Sequence, residues 1–209
     1  MDAVRVALLQ EALAGTEWLR ETHRFAGALR TSVAARGGDL LLVGTPQYEP
    51  WHLAAHLDDE AARSGLAELS PTLVRHTVPP GAPAHLAVGL RRLEAAGRGQ
   101  TLLVVAQGRP GEGLLERVHD ARRGGATVLT LEAQTAAMAE MTEMAEMAAL
   151  AHEALTVPEE ATGLDLDTLQ HLVSAAAGED AGHTAPGRRL RDRLARLADR
   201  LTAPQAPRW

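Results

Sequence analysis

The stretch GQTLLVVAQGRPGEGLLERVHDARRGGATVLTLE, residues 99–132, decides the fold of this 209-residue chain. Residues 101–106 form an apolar run that is typical of a buried strand, and a Gly-rich turn follows at 107–113. A helical pattern then ends at Gly124 and Gly125, and a second apolar run begins directly after them. This is the order of a β-α-β unit, in which a helix joins two parallel strands. In open α/β sheets, ligands bind at the carboxyl ends of the strands, so the turn marks the expected site.

Outward from this unit, the alternation of strands and helices continues over most of the chain. The pattern predicts helices over residues 3–36 (one or two helices), 48–64, 82–96, 111–123, 136–151 and 164–177. It predicts strands over residues 39–44, 71–78, 101–106, 127–131 and 153–157. The expected fold class is therefore α/β: a three-layer open sheet of about five parallel strands flanked by helices, with a flavodoxin-like topology and a helical N-terminal lead.

The chain divides into an α/β domain, residues 1–178, and a C-terminal part, residues 179–209. The C-terminal part is predicted to be a linker, an Arg-rich amphipathic helix over 187–201 and a disordered tail. One face of this helix carries a stripe of leucines: Leu190, Leu194, Leu197 and Leu201. The helix can pack this stripe on a neighbouring subunit, or its arginines can contact an acidic partner or a nucleic-acid backbone.

The composition excludes several kinds of chemistry. The chain has no cysteine and no lysine, so a thiol nucleophile, a Cys-based zinc site, a Schiff base and a P-loop lysine are all excluded. The net charge of −6 argues against a dedicated nucleic-acid binder. The amino terminus lacks a signal-peptide pattern, and no run approaches the ~18 apolar residues of a membrane span, so a cytoplasmic protein is expected.

The order of elements resembles the SIS (sugar isomerase) domain over roughly residues 3–178, and within that family the phosphoheptose isomerase-like branch. Residues 114–131, LLERVHDARRGGATVLTL, look like the family's helix and following strand. Residues 52–55, HLAA, look like part of the QHFAAEL helix of that branch. The resemblance implies a sugar phosphate as ligand and a homodimer or homotetramer. The apolar surface of the lead helix 3–36 and of the Met-rich helix 136–151 favours the same oligomer.

Both loops that hold phosphate in the family differ in this chain. The family's GNGGSA loop corresponds to LVGTPQ at 42–47, and its STSGNS loop corresponds to AQGRPG at 106–111. The second loop has therefore lost its hydroxyl donors, at a cost of about 1 kcal/mol each. Backbone amides at the following helix start and the Arg109 guanidinium can still bind an anion. The candidate ligand-binding residues are Gly44, Thr45, Gln107, Gly108, Arg109 and Gly111.

Three histidines are candidates for metal binding and catalysis. His52 and His56 are four residues apart on a predicted helix, which is a two-ligand metal spacing. The resemblance matches His52 to a zinc ligand, puts His56 where the family has a catalytic acid, and relates His171 to a functional histidine of the final helix. We predict His52, His56 and His171 as metal ligands, with zinc as the one cofactor implied, and His56 and His171 as acid/base residues. The alternative is ordinary helix-surface and subunit-interface histidines.

Two functions follow from these observations. The missing hydroxyls and the missing acid favour a regulatory or non-catalytic protein that binds a carbohydrate derivative. The three histidines and the Gly-rich loop favour the alternative, a zinc-assisted aldose–ketose sugar phosphate isomerase. Both predict a small anionic ligand at the strand ends, with the histidines converging in one pocket that Arg109 faces.

Overall fold

The computed structural model of the protein describes residues 11, 15–35, 38–134, 142–158 and 165–179. Its strands are β1 (Leu40–Val43), β2 (Pro71–Val74), β3 (Thr101–Ala106), β4 (Thr127–Gln134) and β5 (Glu153–Pro158). Its α-helices are α1 (Glu17–Ala34), α2 (Trp51–Ser64), α3 (Arg91–Glu94), α4 (Glu112–Arg123), α5 (Thr142–Leu150) and α6 (Leu166–Ala177). Short 3₁₀ turns lie at Ala67–Leu69 and Ala84–Leu86.

The five strands form one parallel sheet in the order β2-β1-β3-β4-β5. Every residue of β1 and β3 is buried, as expected of central parallel strands that helices cover on both faces. This strand order is the flavodoxin-like one, and it confirms the predicted fold class. The order reverses between β1 and β3, so the crevice outside their carboxyl ends is the topological switch point.

Side chains alternate along the strands and divide the core into two apolar clusters. One cluster joins the sheet to α1, α2 and α6 and includes Phe25, Leu42, Leu103 and Leu131. The other joins it to α3, α4 and α5 and includes Val43, Val104, Val118 and Met147. Helix α6 packs against both α1 and α2. The protein is therefore a three-layer structure, and the α1-α2-α6 layer holds the helices that carry the candidate histidines.

The prediction of one helix over 82–96 is wrong. This stretch forms a 3₁₀ turn at Ala84–Leu86 and the four-residue helix α3. Between them, the Arg75 amide donates to the Val88 carbonyl at 2.8 Å, and Arg75 pairs with Gly89 as an isolated parallel bridge. The stretch therefore extends the sheet edge beyond β2, because backbone pairing there outweighs the weak helix preference of a segment that contains glycine.

Other boundaries differ by a few residues. The strand predicted at 71–78 ends at Val74, the helix predicted at 48–64 begins at Trp51, and β4 continues to Gln134. Within residues 15–35, the lead forms one helix, with Thr16 as its N-cap. Residues 136–141 and the C-terminal helix predicted over 187–201 lie outside the described residues. Among the helices described, none has the length and apolar character needed to cross a bilayer.

Candidate functional site

The loops after β1 and β3 meet at the switch point. The Thr45 hydroxyl donates to the Gln107 carbonyl at 2.7 Å, which ties the first residues of the two loops together. Because Thr45 is fully buried, its hydroxyl is held in this contact and is not free for a ligand. Both loops therefore open at the same edge of the sheet, where the sequence predicts the ligand site.

Glycines allow the tight path of both loops. A Cβ on Gly44 would lie 1.8 Å from the Tyr48 carbonyl oxygen, so only glycine fits at the end of β1. Gly108 and Gly111 have φ angles of 85° and 75°, a region that side chains rarely adopt. Gly111 is also the N-cap of α4 and offers no side-chain cap, so the first-turn amides of α4 lack a side-chain acceptor. Such amides at a helix N-terminus favour an anion.

The predicted ligand-binding residues fall into two groups. Gly44, Thr45, Gln107, Gly108 and Gly111 all lie at the junction of the two loops. Arg109 lies in the same loop with an exposed side chain, and its contact with a ligand remains a prediction.

Helices α2 and α6 bring His52, His56 and His171 together. One donor nitrogen from each imidazole lies within 4.8 Å of the other two. The ring centroids of His52 and His56 are 4.9 Å apart, and that of His171 lies 4.7 Å and 4.2 Å from them. His52 is exposed, His56 is half-buried and His171 is only 3% exposed. The three side chains therefore form a cluster that runs from solvent into the contact between α2 and α6.

The surroundings favour neutral imidazoles. Burial lowers the pKa of His56, and the neighbouring His52 lowers it further. Burial is the largest cause that lowers the pKa of His171 to about 4, and the neighbouring His56 is the next. Asp59 and Asp167 act weakly in the opposite direction on His56 and His171 respectively. Near neutral pH these two rings keep an unprotonated nitrogen, the form that binds metals and accepts protons.

The cluster fits a divalent metal that prefers imidazole. Tetrahedral zinc with Zn–N distances near 2.0–2.1 Å places ligand nitrogens about 3.3 Å apart, so modest rotation of the rings would suffice. The His56 Nε2 atom is buried and has no hydrogen-bond partner among the described atoms, which is the state of a nitrogen available to a metal. Three imidazoles would leave a fourth position open, as in catalytic zinc sites.

A second polar group, whose contacts the sequence did not predict, links the loop after β1 to α6. The Gln170 amide donates to the Tyr48 hydroxyl at 2.8 Å, and this hydroxyl donates to Asp167 at 3.3 Å. The Gln170 side-chain oxygen is buried and has no partner within the described part of the chain. Gln170 precedes His171, so this network connects the loop junction to the histidine cluster. The chain's single tyrosine, in the turn after a strand, was the available signal.

Glu132 is also absent from the predicted site residues. It lies near the carboxyl end of β4, is 1% exposed, and pairs in register with Ala106 of β3. Its Oε1 atom has no partner within the described residues, and burial raises the pKa of its carboxyl. A charged residue inside the apolar run TVLTLEA was the signal in the sequence.

Comparisons with known proteins found solved structures that are similar to this chain at low sequence identity. The chain is similar to a protein from Salmonella typhimurium LT2 named as sugar-binding (18% identity, TM-score 0.48), over 95% of this chain and 51% of that one. It is similar to the sugar isomerase domain of the RpiR transcription factor from Sphaerobacter thermophilus (16%, 0.48), over 88% and 93% of the two chains. It is similar to a phosphoheptose isomerase from Francisella tularensis (14%, 0.44), over 82% and 86%.

The chain thus spans about half the length of the Salmonella protein. No protein-family model and no curated protein matches it. The names of the solved structures agree with the SIS resemblance of the sequence. Similarity at this level transfers no activity to this chain.

Proposed function

We propose that the protein binds a small anionic carbohydrate derivative, such as a sugar phosphate, in the switch-point crevice between the loops after β1 and β3. The observation that carries this proposal is the hydrogen bond from Thr45 to Gln107. It holds the two loops together beside the uncapped start of α4, where backbone amides favour negative charge. The exposed Arg109 guanidinium adds a charge-assisted contact to the phosphate.

The same geometry favours a binding role that is regulatory or non-catalytic. The hydroxyl of Thr45 is already bonded to Gln107, and the stretch 106–111 contains no serine or threonine. Recognition therefore depends on backbone amides and on Arg109. No carboxylate belongs to the histidine cluster found among the described residues, so the acid that the family places on this helix has no direct replacement there.

Isothermal titration calorimetry with ribose 5-phosphate, ribose and inorganic phosphate tests the proposal. We expect ribose 5-phosphate to bind and ribose not to bind. We expect Arg109→Ala to weaken binding by about 10- to 100-fold, the value of one charge-assisted hydrogen bond. Arg98→Ala is the matched control, because Arg98 is exposed in the turn that precedes β3, at the opposite edge of the sheet. Equal affinities of ribose and ribose 5-phosphate would contradict the proposal.

The histidine cluster supports a zinc site in this protein, with His52, His56 and His171 as ligands. Zinc would supply a Lewis acid and a bound water, and the chain's own part is to present three neutral imidazoles. Metal analysis of the untagged protein should give about one zinc per chain. His52→Ala should lower this content, and His85→Ala, at an exposed position, should leave it unchanged. Sub-stoichiometric zinc in the parent protein would contradict the assignment.

Sugar phosphate isomerisation is the second candidate function, and the observation that favours it is the convergence of the His56 and His171 imidazoles, whose ring centroids are 4.2 Å apart. In the protein without bound metal, one neutral imidazole would take the proton from the carbon beside the carbonyl, while the other gives its N–H proton to the carbonyl oxygen. The first imidazole then gives the abstracted proton to the former carbonyl carbon, and the second recovers a proton from the other hydroxyl of the enediol, which becomes the carbonyl of the isomer. A ketoheptose 7-phosphate incubated with the protein in D₂O should then gain deuterium at the exchanging carbon, and His56→Gln should stop this. If the parent protein catalyses no deuterium exchange, isomerisation is contradicted and ligand binding is the function that remains.

A homodimer or homotetramer remains our expectation from the sequence. The described part of the lead helix, α1, buries Phe25, Leu29 and Val33 within its own chain, and Met147 of α5 is also buried in the core. Surface for an oligomer must therefore come from elsewhere in the molecule. Sedimentation at micromolar concentration tests the expectation, and a monomer would contradict it.

A further inference from the structure

A groove of about 810 Å³ runs between α4 and α5, on the face of the sheet opposite the histidine cluster. Its apolar part consists of Leu115, Ala149 and Leu150. Its polar border consists of the His119 imidazole and four carboxylates: Glu112, Glu116, Asp120 and Glu146. The groove thus combines an apolar floor with an acidic border, which is the complement of a basic amphipathic helix.

The acidic border is arranged as a row. Glu112, Glu116 and Asp120 follow one another at four-residue intervals along α4, so their side chains share one face of the helix. All three are exposed, and so is Glu146 on α5. Within the described ranges, none of these four carboxylates forms an ion pair with an arginine or histidine.

The segment 187–201 carries the matching pattern. It has two parallel rows, each with intervals of four, three and four residues. The leucine row is Leu190, Leu194, Leu197 and Leu201, and the arginine row is Arg189, Arg193, Arg196 and Arg200. Each arginine directly precedes a leucine, so on a helix the two rows lie side by side, about 100° apart.

We propose that the C-terminal segment 187–201 docks in the α4-α5 groove. Its leucine row packs on Leu115 and Leu150, and its arginine row pairs with the acidic row of α4. The lengths agree, since a 15-residue helix is about 22 Å long and the 12 residues of α4 span about 18 Å. The described chain ends at Glu179, and residues 180–186 can extend over about 25 Å before the segment begins.

This groove is a better partner for the segment than a nucleic acid. Asp192 and Asp199 interrupt the positive charge of the segment, and the whole chain carries a net charge of −6, so a phosphate backbone would meet overall repulsion. A groove on the same chain, or on a neighbouring copy in an oligomer, is instead present at a high effective concentration.

Hydrogen–deuterium exchange of the full chain, read by mass spectrometry, tests the proposal. We expect the amides of 187–201 to be protected in low salt. Glu116→Gln combined with Asp120→Asn should speed their exchange about fivefold or more, and about 1 M salt should act in the same direction. The control variant, Glu17→Gln with Asp59→Asn, also removes two exposed carboxylates but on the opposite helix layer, and should leave the protection unchanged. Unchanged exchange in β1 and β3 would verify the fold of both variants.

The outcomes separate the possibilities. If the protection of 187–201 does not depend on protein concentration, the segment docks in the groove of its own chain. If the protection rises with concentration, the segment docks in the groove of a neighbouring copy. Both results support docking. Rapid exchange of 187–201 in the parent protein would overturn the proposal. Protection that ignores the Glu116 and Asp120 substitutions, or that develops only with added duplex DNA, would overturn it as well.

Discussion

Acidification of the metal-free protein should reduce its stability through His171. This imidazole is 3% exposed, and its pKa in the folded state is lowered to about 4, first by burial and then by His56. An unfolded histidine titrates near 6.5. The unfolded chain therefore binds the proton more readily, and the stability present above about pH 6.5 is lost progressively as the pH falls toward 4.

The size of the effect follows from the two pKa values. Each tenfold change in proton affinity is worth about 1.4 kcal/mol, so His171 alone gives a full loss of roughly 3 kcal/mol below both values. Between about pH 7.5 and about pH 5 the loss is about 2 kcal/mol. The lowered pKa of His56 adds to the loss in the same direction. This is a large share of the 5–15 kcal/mol that typically stabilises a domain.

Urea unfolding of EDTA-treated protein, followed by circular dichroism at both pH values, measures this loss. His171→Gln should lose about 2 kcal/mol less than the parent protein over the same interval, because glutamine does not titrate. His85→Gln changes an exposed histidine and should keep the parent behaviour. If His171→Gln and the parent lose the same free energy, the neutral, buried state assigned to His171 is wrong.

Further substitutions test the sheet and the loop junction by the same unfolding measurement. Gly44→Ala should destabilise the protein by about 3 kcal/mol, since its Cβ would lie 1.8 Å from a backbone oxygen. Gly27→Ala lies in α1, where the added Cβ would have no atom within 4 Å beyond its chain neighbours and the local helix backbone, and it should instead stabilise the protein by about 0.5–1 kcal/mol. An equal effect of both substitutions would refute the close packing at Gly44. Thr45→Val should cost about 1 kcal/mol through loss of the bond to Gln107 and should weaken ribose 5-phosphate binding; unchanged stability would remove the link between the loops. Glu132→Gln should be more stable than the parent at about pH 8, and the difference should vanish near pH 4. The reason is that burial raises the pKa of the Glu132 carboxyl, so its ionisation destabilises the folded protein only above the pKa that this carboxyl has in the unfolded chain. A constant difference across this range would contradict the buried state of Glu132.

The central part of the fold was predictable because its signals are local. The run at 101–106 is apolar after Thr101, and the structure gives β3 these same bounds. Capping residues mark helix ends in the sequence because their side chains bond to nearby backbone amides. Asp165 is an example, since its side chain accepts from the Thr168 amide at 2.7 Å at the start of α6. In contrast, the stretch 82–96 has helical periodicity but forms a sheet-edge bridge through Val88 and Gly89. A hydrogen bond to a distant strand leaves no mark in local periodicity.

In the candidate site, too, local features were predictable from the sequence and long-range contacts were not. The i, i+4 spacing of His52 and His56 predicts a shared helix face, but only the packing of α6 on α2 brings His171 to them. The link from Tyr48 to Gln170 crosses 122 positions of sequence, and no spacing rule finds such a contact. Burial of Glu132 depends on the layer that covers β4, which the sequence alone does not define.

Titration of ¹⁵N-labelled protein with ribose 5-phosphate, followed by amide chemical shifts, tests most directly where the proposed ligand binds. The largest shifts should fall on the amides of residues 44–48 and 108–114, which form the loop junction and the first turn of α4. Amides of residues 97–99, at the opposite edge of the sheet, should not move. Saturable shifts confined to the first two groups are the result that our account predicts. Absence of shifts at the loop junction, or saturable shifts centred on residues 97–99, would contradict it.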